Sequence, residues 1–553
     1  MNGLDVVIKK YFPGRGNGLV AAKNFKAYAE IFKKIPEVSV PESDFRSYIC
    51  ANCFVLAPTT GDKVQPASVA KIFSCGKCRA SYYCSQQCQL QDWKAYHKRE
   101  CKILASLAPQ VPPSPVVLLM RILKMQRENR DRFFKSMEGL MSHIDERRKL
   151  DDFSTLVLMS KGAKEYSRSA LPFDAIVEML CKVMTNSATI PNPNYDTVGL
   201  MFDPLVSLVN HSCDPNAVLV FNKNVLLLRA VRPIKEGEEI FISYTDNTMP
   251  MPERKKQLRT LYFFDCHCAA CRPPEVGSGP KADPRNDFTC PRCGTPFQPY
   301  SMRSAPNGVQ IYNDISACSS CHYRFPDAPN VVANLEHQIA STGVAEINRI
   351  ANDSMANGLV SKLKQFHKQG MIPLHRSPFT ESLASLIPYY MKYNDWSTAL
   401  AFIGIQYFFQ DEMRTRQPEF MLIRLAHMMR FVVILAYIIN TGPSSRLQQC
   451  SIDFHECLWG LVSELERSIP LVYGKNSTFE AHVREKYKNM MLAQMGPTLA
   501  RIHMSSTLEQ LGWHKEMDKI KAYAMGFFID SDVKKFIATD SDIMKFIGTE
   551  LLD

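Results

Sequence analysis

Eighteen cysteines, most of them in closely spaced pairs, constrain this 553-residue chain more than any other feature. In a reducing compartment, pairs of the CxxC type are typical of metal ligands and not of disulfides. Fourteen of the eighteen cysteines fall into three groups along the chain, and a fifteenth, Cys213, is a candidate to complete one of them. We expect these groups to hold zinc, and we expect Cys181, Cys450 and Cys457 to be buried thiols in helices.

The first group supplies eight ligands, enough for two closed tetrahedral zinc sites. A segment this short cannot bury enough apolar surface to fold alone, so zinc must supply much of its folding free energy. The spacing leaves open whether the ligands pair sequentially or in an interleaved order. They are Cys50, Cys53, Cys75, Cys78, Cys84, Cys88, His97 and Cys101.

The second group, Cys266, Cys268 and Cys271, has three ligands and needs a fourth donor from a distant part of the chain. Cys213 is a candidate for that donor. We expect the side chain of His267, which lies between two ligands, to point away from the metal.

The third group consists of two CxxC pairs, a spacing typical of a zinc ribbon. Four thiolates close the coordination sphere, so this site is expected to be structural and not catalytic. Its ligands are Cys290, Cys293, Cys318 and Cys321.

The composition is that of a folded globular protein, with 46% apolar and 22% charged residues. The net charge of +11 is spread along the chain, and no basic-aromatic patch in residues 286–330 supports a nucleic-acid partner. The longest unbroken apolar run, residues 431–439, is shorter than the roughly 20 residues that span a membrane. We therefore expect an intracellular protein without a membrane partner.

Two segments between the first two cysteine groups indicate a small β fold. Residues 217–229 are rich in Val, Leu and Phe and are interrupted by Asn-Lys-Asn, which is a hairpin signal. Residues 239–244 form another short strand after a turn at residues 235–237. Polar residues lie at the ends of these strands.

Four motifs in the first half of the chain resemble the SET domain of protein-lysine methyltransferases. They are GRGNGL (residues 14–19), NHSCDPN (210–216), GEEIFISY (237–244) and the CxCxxC that follows, which resembles a post-SET zinc site. The first cysteine group, with its ending YYCSQQCQLQDWKAYHKREC, resembles a MYND zinc module. A MYND module inserted into a SET domain marks the SMYD family, and the resemblance covers about residues 5–272.

The resemblance implies an α+β fold. It comprises a SET-domain β fold with a pseudoknot, an inserted MYND module, a post-SET zinc site, an extra zinc ribbon and an all-helical C-terminal domain. The corresponding segments are residues 1–49 (SET, N-terminal part), 50–101 (MYND), 102–190 (helical insert), 191–250 (SET core), 251–275 (post-SET), 276–330 (ribbon) and 331–553 (helical). The last segment resembles tetratricopeptide repeats at Asp395-Trp396, although it shows no clean repeat period.

The resemblance also implies how the zinc ligands pair. One ion would be held by Cys50, Cys53, Cys84 and Cys88, and the other by Cys75, Cys78, His97 and Cys101. The pseudoknot would bring Cys213 beside the CxCxxC run. With the ribbon, the chain would hold four zinc ions.

The site residues follow by analogy with the family. Tyr244 would be the catalytic tyrosine, and Tyr262 and Ala188 would line the lysine channel, which Ala188 leaves wider than the aromatic residue usual there. The cofactor would be S-adenosylmethionine (SAM), held by Arg15, Gly16, Asn17, His143, Asn186, Asn210, His211, Tyr244 and Phe264.

The expected function is therefore SAM-dependent protein-lysine N-methylation of a histone or non-histone protein. The alternative is a non-catalytic adaptor whose MYND module binds Pro-rich peptides of partner proteins. An adaptor would be free to lose Tyr244, Asn210 or His211, and none is lost. We expect a monomer located in the cytoplasm, the nucleus or both.

Overall fold

The computed structural model describes residues 5–57, 71–126, 131–193, 195–271, 284–297, 300–304, 310–312, 317–326, 330–341, 343, 350–410, 421–489, 491–492 and 512–529. The chain divides into two compact units. The first comprises Met1–Tyr244, Gln257–Cys266 and Ile469–Lys486, and the second comprises Thr245–Lys256, His267–Ser468 and Tyr487–Asp553. Residues 272–283, which include the start of the predicted ribbon segment, lie outside the described residues.

The strands of the described residues are short. In chain order they are β1 (Val7–Phe12), β2 (Gly16–Ala21), β3 (Glu30–Lys34), β4 (Val38–Pro41), β5 (Phe73–Ser74), β6 (Tyr82–Tyr83), β7 (Ala188–Pro191), β8 (Thr197–Phe202), β9 (Asn210–His211), β10 (Ala217–Asn222), β11 (Val225–Ala230), β12 (Phe241–Ile242), β13 (Phe288–Thr289), β14 (Pro296–Phe297), β15 (Tyr300–Ser304) and β16 (Gln310–Tyr312).

The helices are concentrated in two stretches, one before β7 and one after the ribbon. In chain order they are α1 (Gln86–Asp92), α2 (Lys98–Leu107), α3 (Ser114–Gln126), α4 (Asp131–Met137), α5 (Ile144–Arg147), α6 (Phe153–Ser167), α7 (Phe173–Asn186), α8 (Met251–Tyr262), α9 (Val331–Ser341), α10 (Asp353–Gln369), α11 (Phe379–Lys392), α12 (Trp396–Ile405), α13 (Met421–Thr441), α14 (Ser445–Gln448), α15 (Phe454–Tyr473), α16 (Thr478–Val483) and α17 (Trp513–Ile529).

The first unit contains several small sheets instead of one large sheet. Two of them have three strands, in the orders β10-β11-β3 and β4-β8-β7, and β1 pairs with β2. The predicted hairpin is confirmed: β10 and β11 are antiparallel, and Asn222 pairs with Val225 across a two-residue turn. Lys223 takes a positive φ of 58° in this turn, as tight hairpins require.

The pairing of β9 with β12 is parallel, with Asn210 opposite Phe241 and His211 opposite Ile242. The NHSCDPN and GEEIFISY segments therefore lie side by side, as the resemblance implies for the pseudoknot. Because the strands run in the same direction, the residues that follow each of them emerge at the same edge.

Helix α3 connects the strand core of the first unit with its helical core. Leu118 and Ile122 are fully buried in the cluster that contains the strand residues Phe202 and Leu228. Leu119, on another face of α3, is fully buried in the cluster formed with α6 and α7. A helix that is apolar on opposite faces in this way is an interior element, which fixes α3 between the two layers.

Among the described residues from 331 onward, in the second unit, all regular structure is helical. Helix α12 begins where the sequence predicts it, because the Asp395 side chain accepts a hydrogen bond from the Thr398 backbone N–H at 3.0 Å. The tetratricopeptide resemblance stays a prediction.

Helix α13 is long and apolar enough to span a membrane by length and composition, over Leu422–Thr441 with a mean hydropathy of 1.9. However, 56% of this window is buried inside the protein, and Arg424 pairs with Glu464 of α15 at 2.6 Å. A buried core helix meets the same length and hydropathy criteria. The burial and the ion pair favour a buried core helix.

A buried carboxylate in the second unit predicts pH-dependent stability. Oε2 of Glu253 is buried without a hydrogen-bond partner, and burial, opposed by Arg376, raises the pKa of Glu253 to about 7. The native state therefore favours the protonated form, so stability falls as the pH rises from the unfolded-state pKa through 7. Between pH 6 and 8.5 the loss from this one group is about 1.4 kcal/mol.

Replacement Glu253→Gln removes this titration, so we expect the variant to lose less stability over that pH range and to be the more stable protein at pH 8.5. Urea unfolding of both zinc-loaded proteins at the two pH values measures the difference. An identical pH dependence in the two proteins would contradict the assignment.

Candidate active site and zinc sites

The structure gathers the sixteen predicted zinc ligands into the four predicted groups. In each group the donor atoms lie within 4.8 Å of one another. The groups are Cys50-Cys53-Cys84-Cys88, Cys75-Cys78-His97-Cys101, Cys213-Cys266-Cys268-Cys271 and Cys290-Cys293-Cys318-Cys321. Four thiolates, or three thiolates and one imidazole, are the donor sets of structural zinc, so the residues present fit the metal.

The first two groups have the interleaved order that the resemblance implies. Nε2 of His97 lies 3.3 Å from the Cys75 sulfur and 3.5 Å from the Cys78 sulfur. Cys53 and Cys84, which are 31 residues apart in the chain, have their sulfurs 3.6 Å apart. Each ion would therefore join distant parts of the module, which is why zinc can fold so short a segment.

Cys213 meets the CxCxxC run as expected. Its sulfur lies 3.9 Å from that of Cys266, and His267 is exposed and outside the group. Nε2 of His211 lies 3.3 Å from the same Cys213 sulfur. This zinc group therefore adjoins the predicted cofactor and catalytic residues.

The ribbon group is formed by two knuckle turns. The backbone N–H of Gly294 donates to the carbonyl of Cys290, and that of His322 donates to the carbonyl of Cys318. Both donors have positive φ values, 68° and 56°. Each turn folds its two cysteine sulfurs toward the same point, as a closed site requires.

Tyr244 lies in an aromatic cluster at the edge where β9 and β12 end. Its backbone N–H donates to Nδ1 of His211 at 3.0 Å, and its hydroxyl donates to the Val209 carbonyl at 2.6 Å. The Tyr262 ring lies 4.9 Å and the His211 ring 5.4 Å from the Tyr244 ring, measured between centroids. Phe264 lies 5.9 Å from His211, so these four predicted residues come together.

The environment of Tyr244 keeps its hydroxyl protonated. Burial, with smaller contributions from Tyr262 and Glu239, raises the pKa of Tyr244 well above its ordinary value. Burial also raises the pKa of Tyr262. At neutral pH both phenols are therefore hydrogen-bonding groups and not bases.

A polar chain lies beside this cluster. Nδ2 of Asn210 donates to Glu239 at 2.9 Å and to the Asn17 carbonyl at 3.3 Å. The other oxygen of Glu239 pairs with Arg15 at 2.7 Å. A Cβ at Gly18 would lie 2.7 Å from both the Asn210 amide and Glu239. Strand β2 can therefore lie this close to the two side chains only with glycine at position 18.

Asn186, the last residue of α7, is hydrogen-bonded to the neighbouring loop that carries His143. The Asn186 amide donates to the Met141 carbonyl at 2.9 Å, and Nδ1 of His143 is buried without a hydrogen-bond partner. Burial lowers the pKa of His143, which favours the neutral imidazole. The loop approaches the polar chain, because a Cβ at Gly139 would lie 3.1 Å from Nδ2 of Asn17.

The other two predicted residues are placed by the backbone alone. Ala188 begins β7 opposite Met201, and Gly16 begins β2 opposite Phe12 with a φ of 79°. Their roles in a lysine channel and a cofactor pocket stay predictions.

Sequence reasoning missed Glu239 and Asn216. Glu239 joins Asn210 to Arg15, and the Asn216 amide binds the backbone on both sides of Ile240, at the Glu239 carbonyl and the Phe241 N–H. A glutamate within the apolar strand GEEIFI is a signal that could have identified the first residue. The second, Asn216, is the last residue of the NHSCDPN motif, and that position is the signal that could have identified it.

The zinc groups predict the metal content of the protein. We expect four zinc ions per chain by atomic emission. The variant Cys318→Ser should hold three, because the ribbon loses one thiolate while the other groups keep theirs. Fewer than four ions in the folded wild type, or the loss of more than one in the variant, would contradict the grouping.

Comparison with known proteins finds similarity over about half of the chain. Residues 16–245 match the SET domain family. The chain is 36% identical over 278 residues to histone-lysine N-methyltransferase SMYD3 of Homo sapiens, a match that covers 47% of this chain and 59% of that protein. It is 31% identical to SET domain and MYND-type zinc finger protein 6 of Schizosaccharomyces pombe, over 47% of this chain and 50% of that protein.

The match therefore spans between half and three fifths of the length of these curated relatives. A crystal structure of the SET domain of LSMT bound to lysine and AdoHcy is 12% identical and aligns with 99% of this chain and 95% of that one. Its TM-score of 0.29 is too low to support a structural argument. The chain is therefore similar to the SET domain family over residues 16–245 and to SMYD proteins over about half of its length.

Proposed function

We propose that the protein is an S-adenosylmethionine-dependent protein-lysine N-methyltransferase. The observation that carries the proposal is the position of Tyr244. Its hydroxyl is bound to the Val209 carbonyl inside an aromatic cluster, directly beside the Asn210-His211 pair. The polar chain and the aromatic cluster would serve as a cofactor site and a lysine site that share one edge.

The proposed cofactor residues are both polar and aromatic. Arg15, Asn17, Asn186 and Asn210 offer hydrogen-bonding groups for an amino acid moiety, and Phe264, His143 and His211 offer ring faces and imidazole nitrogens. When bound, SAM supplies an electrophilic methyl group on a positively charged sulfur. The residues of the chain hold the donor in line with the acceptor and exclude water, which is what an in-line displacement requires.

The target lysine must lose its proton before it can accept a methyl group. With a reference pKa near 10.4, neutrality at pH 7 costs roughly 4–5 kcal/mol. The rings of Tyr244 and Tyr262 would desolvate the ammonium and lower that pKa. Because both phenols stay protonated, Tyr244 would orient the amine through its hydroxyl and would not act as a base.

The substrate would be a histone or non-histone protein with an accessible lysine. Ala188 would leave one side of the channel open, so the number of methyl groups added depends on this position. We further propose a monomer of the cytoplasm, the nucleus or both, whose MYND module binds Pro-rich peptides.

The replacement Tyr244→Phe tests the proposed catalytic role. It keeps the ring and removes the hydroxyl that the Val209 carbonyl fixes. Misplacing a reacting group by about 1 Å can cost about 100-fold in rate, so we expect methyl transfer to fall at least about 100-fold. The measurement is transfer of labelled methyl from SAM into separate histone and cytosolic protein fractions.

Two controls make this result specific. Binding of SAM by calorimetry should change little, because the variant keeps the ring of residue 244. Tyr393→Phe, at an exposed position between α11 and α12, should keep full activity. The absence of label with a folded, zinc-loaded wild-type protein would favour the MYND adaptor instead. Full activity of Tyr244→Phe would contradict the role assigned to its hydroxyl.

The replacement Glu239→Gln tests the cofactor site separately. Gln keeps the size of the side chain but loses the charge that pairs with Arg15 and accepts from Asn210. A charge-assisted hydrogen bond is worth about 1.5–3 kcal/mol, so we expect the Kd for SAM to rise about tenfold or more. Glu236→Gln, three residues earlier in an exposed turn, is the matched control, and equal affinities in the two variants would contradict the assignment.

A further inference from the structure

Four buried ionisable side chains lie between the second MYND zinc group and the strand core of the first unit. Asp92, His97, Glu100 and Arg121 are 2%, 0%, 1% and 4% exposed. Buried charges are stable only when they are paired. The need for pairing therefore constrains the positions of these four side chains closely.

His97 connects this cluster to the zinc group. Its Nε2 faces the sulfurs of Cys75 and Cys78, which leaves Nδ1 as the nitrogen that carries a proton when Nε2 binds zinc. Nδ1 faces two acceptors, Oε1 of Glu100 at 3.7 Å and the hydroxyl of Ser81 at 3.4 Å. A metal-bound imidazole is oriented by the group that accepts this second proton.

Arg121 fixes Glu100 with two parallel hydrogen bonds. Nη2 donates to Oε1 at 2.6 Å and Nε donates to Oε2 at 3.0 Å. The guanidinium also stacks on the Tyr96 ring, with Cζ 4.7 Å from the ring centroid, and lies 3.9 Å from Asp92. Bidentate pairing of this kind sets orientation as well as charge.

The same guanidinium reaches the SET portion of the unit. Nη1 of Arg121 donates to the Ser39 carbonyl of β4 at 2.5 Å. Arg121 belongs to α3, which is buried between the strand and helical cores. A continuous path of polar contacts therefore runs from the zinc ligand His97 through Glu100 and Arg121 to the backbone of β4.

We propose that Glu100 and Arg121 are positioning residues of the second MYND zinc site, and that through them zinc binding and the docking of the module on β4 are one coupled event. Arg121 holds Glu100, and Glu100 holds His97 with Nε2 toward the metal. Zinc in turn holds the module in the position in which Arg121 reaches Ser39. This inference concerns metal binding and does not depend on methyl transfer.

Zinc release provides the first test. In Glu100→Gln we expect one of the four zinc ions to transfer to a chelator about 10–100-fold more readily than in the wild type, while the other three are unchanged, as for other partners of metal-bound histidine. The double variant Glu100→Gln/Arg121→Met removes the two paired charges together, so that neither Glu100 nor Arg121 is left as a buried charge without its partner. Asp92, which loses the nearby guanidinium, keeps the hydrogen bond from the Tyr83 hydroxyl at 2.7 Å. The double variant guards against a simple folding failure and should show the same single labile ion.

Two further variants test whether the path from His97 runs through Glu100 and not through Ser81 or a neighbouring arginine. Ser81→Ala removes the competing acceptor of His97, and Arg99→Met removes an arginine of the neighbouring α2 turn that binds the Ala95 carbonyl. Both should release zinc like the wild type. A labile ion in Ser81→Ala alone, or wild-type release in Glu100→Gln, would overturn the assignment.

Cadmium-113 spectra give a readout that general destabilisation does not reproduce. In protein loaded with cadmium, the resonance of the site with three sulfurs and one nitrogen should shift or broaden in Glu100→Gln, whereas the resonances of the four-sulfur sites should keep their positions. An unchanged resonance for the mixed site would overturn the positioning role.

Hydrogen exchange tests the coupling to β4. Removing the zinc ion of the second MYND group from the wild type should speed amide exchange in residues 38–41. In the double variant exchange there should already be fast and should no longer respond to zinc. Exchange in the wild type that is independent of zinc would overturn the coupled docking.

Discussion

The parallel pairing of β9 with β12 is the contact on which the proposed site depends. Only two residues of each strand pair, but the Ser212 N–H also donates to the Ile242 carbonyl at 3.0 Å. Because the strands are parallel, His211 and Tyr244 emerge together, although they are 33 residues apart in sequence. Without this pairing the aromatic cluster and the polar chain would belong to separate loops.

So short a pairing needs support from outside the two strands. Asn216, buried at the end of NHSCDPN, binds the backbone of the GEEIFI segment from both directions. The Ile240 N–H donates to the Leu19 carbonyl of β2, which adds β2 to the same assembly. Next to it, Cys213 brings a zinc group to the end of β9. Side-chain amides and metal ligands here supply the cross-links that a long run of hydrogen bonds between strands supplies in larger sheets.

Local patterns in the sequence predicted much of this structure. The cysteine spacing predicted the zinc ligands, and the family resemblance predicted how they pair. Apolar runs around Asn-Lys-Asn predicted the hairpin, and family motifs predicted the residues around Tyr244. The contacts of Glu239 with Arg15, and of Glu100 with Arg121, could not be predicted in this way. Each joins residues that are far apart in sequence, and their pairing depends on burial that only the folded chain defines.

The central claim is that one edge of the pseudoknot holds both the methyl donor and the lysine. A crystal structure of the full chain with S-adenosylhomocysteine and a lysine peptide tests it most directly. The account predicts the cofactor product in contact with Asn17 and Asn210, and the lysine nitrogen within hydrogen-bonding distance of the Tyr244 hydroxyl. A cofactor product bound elsewhere, or a peptide lysine that does not reach Tyr244, would contradict it.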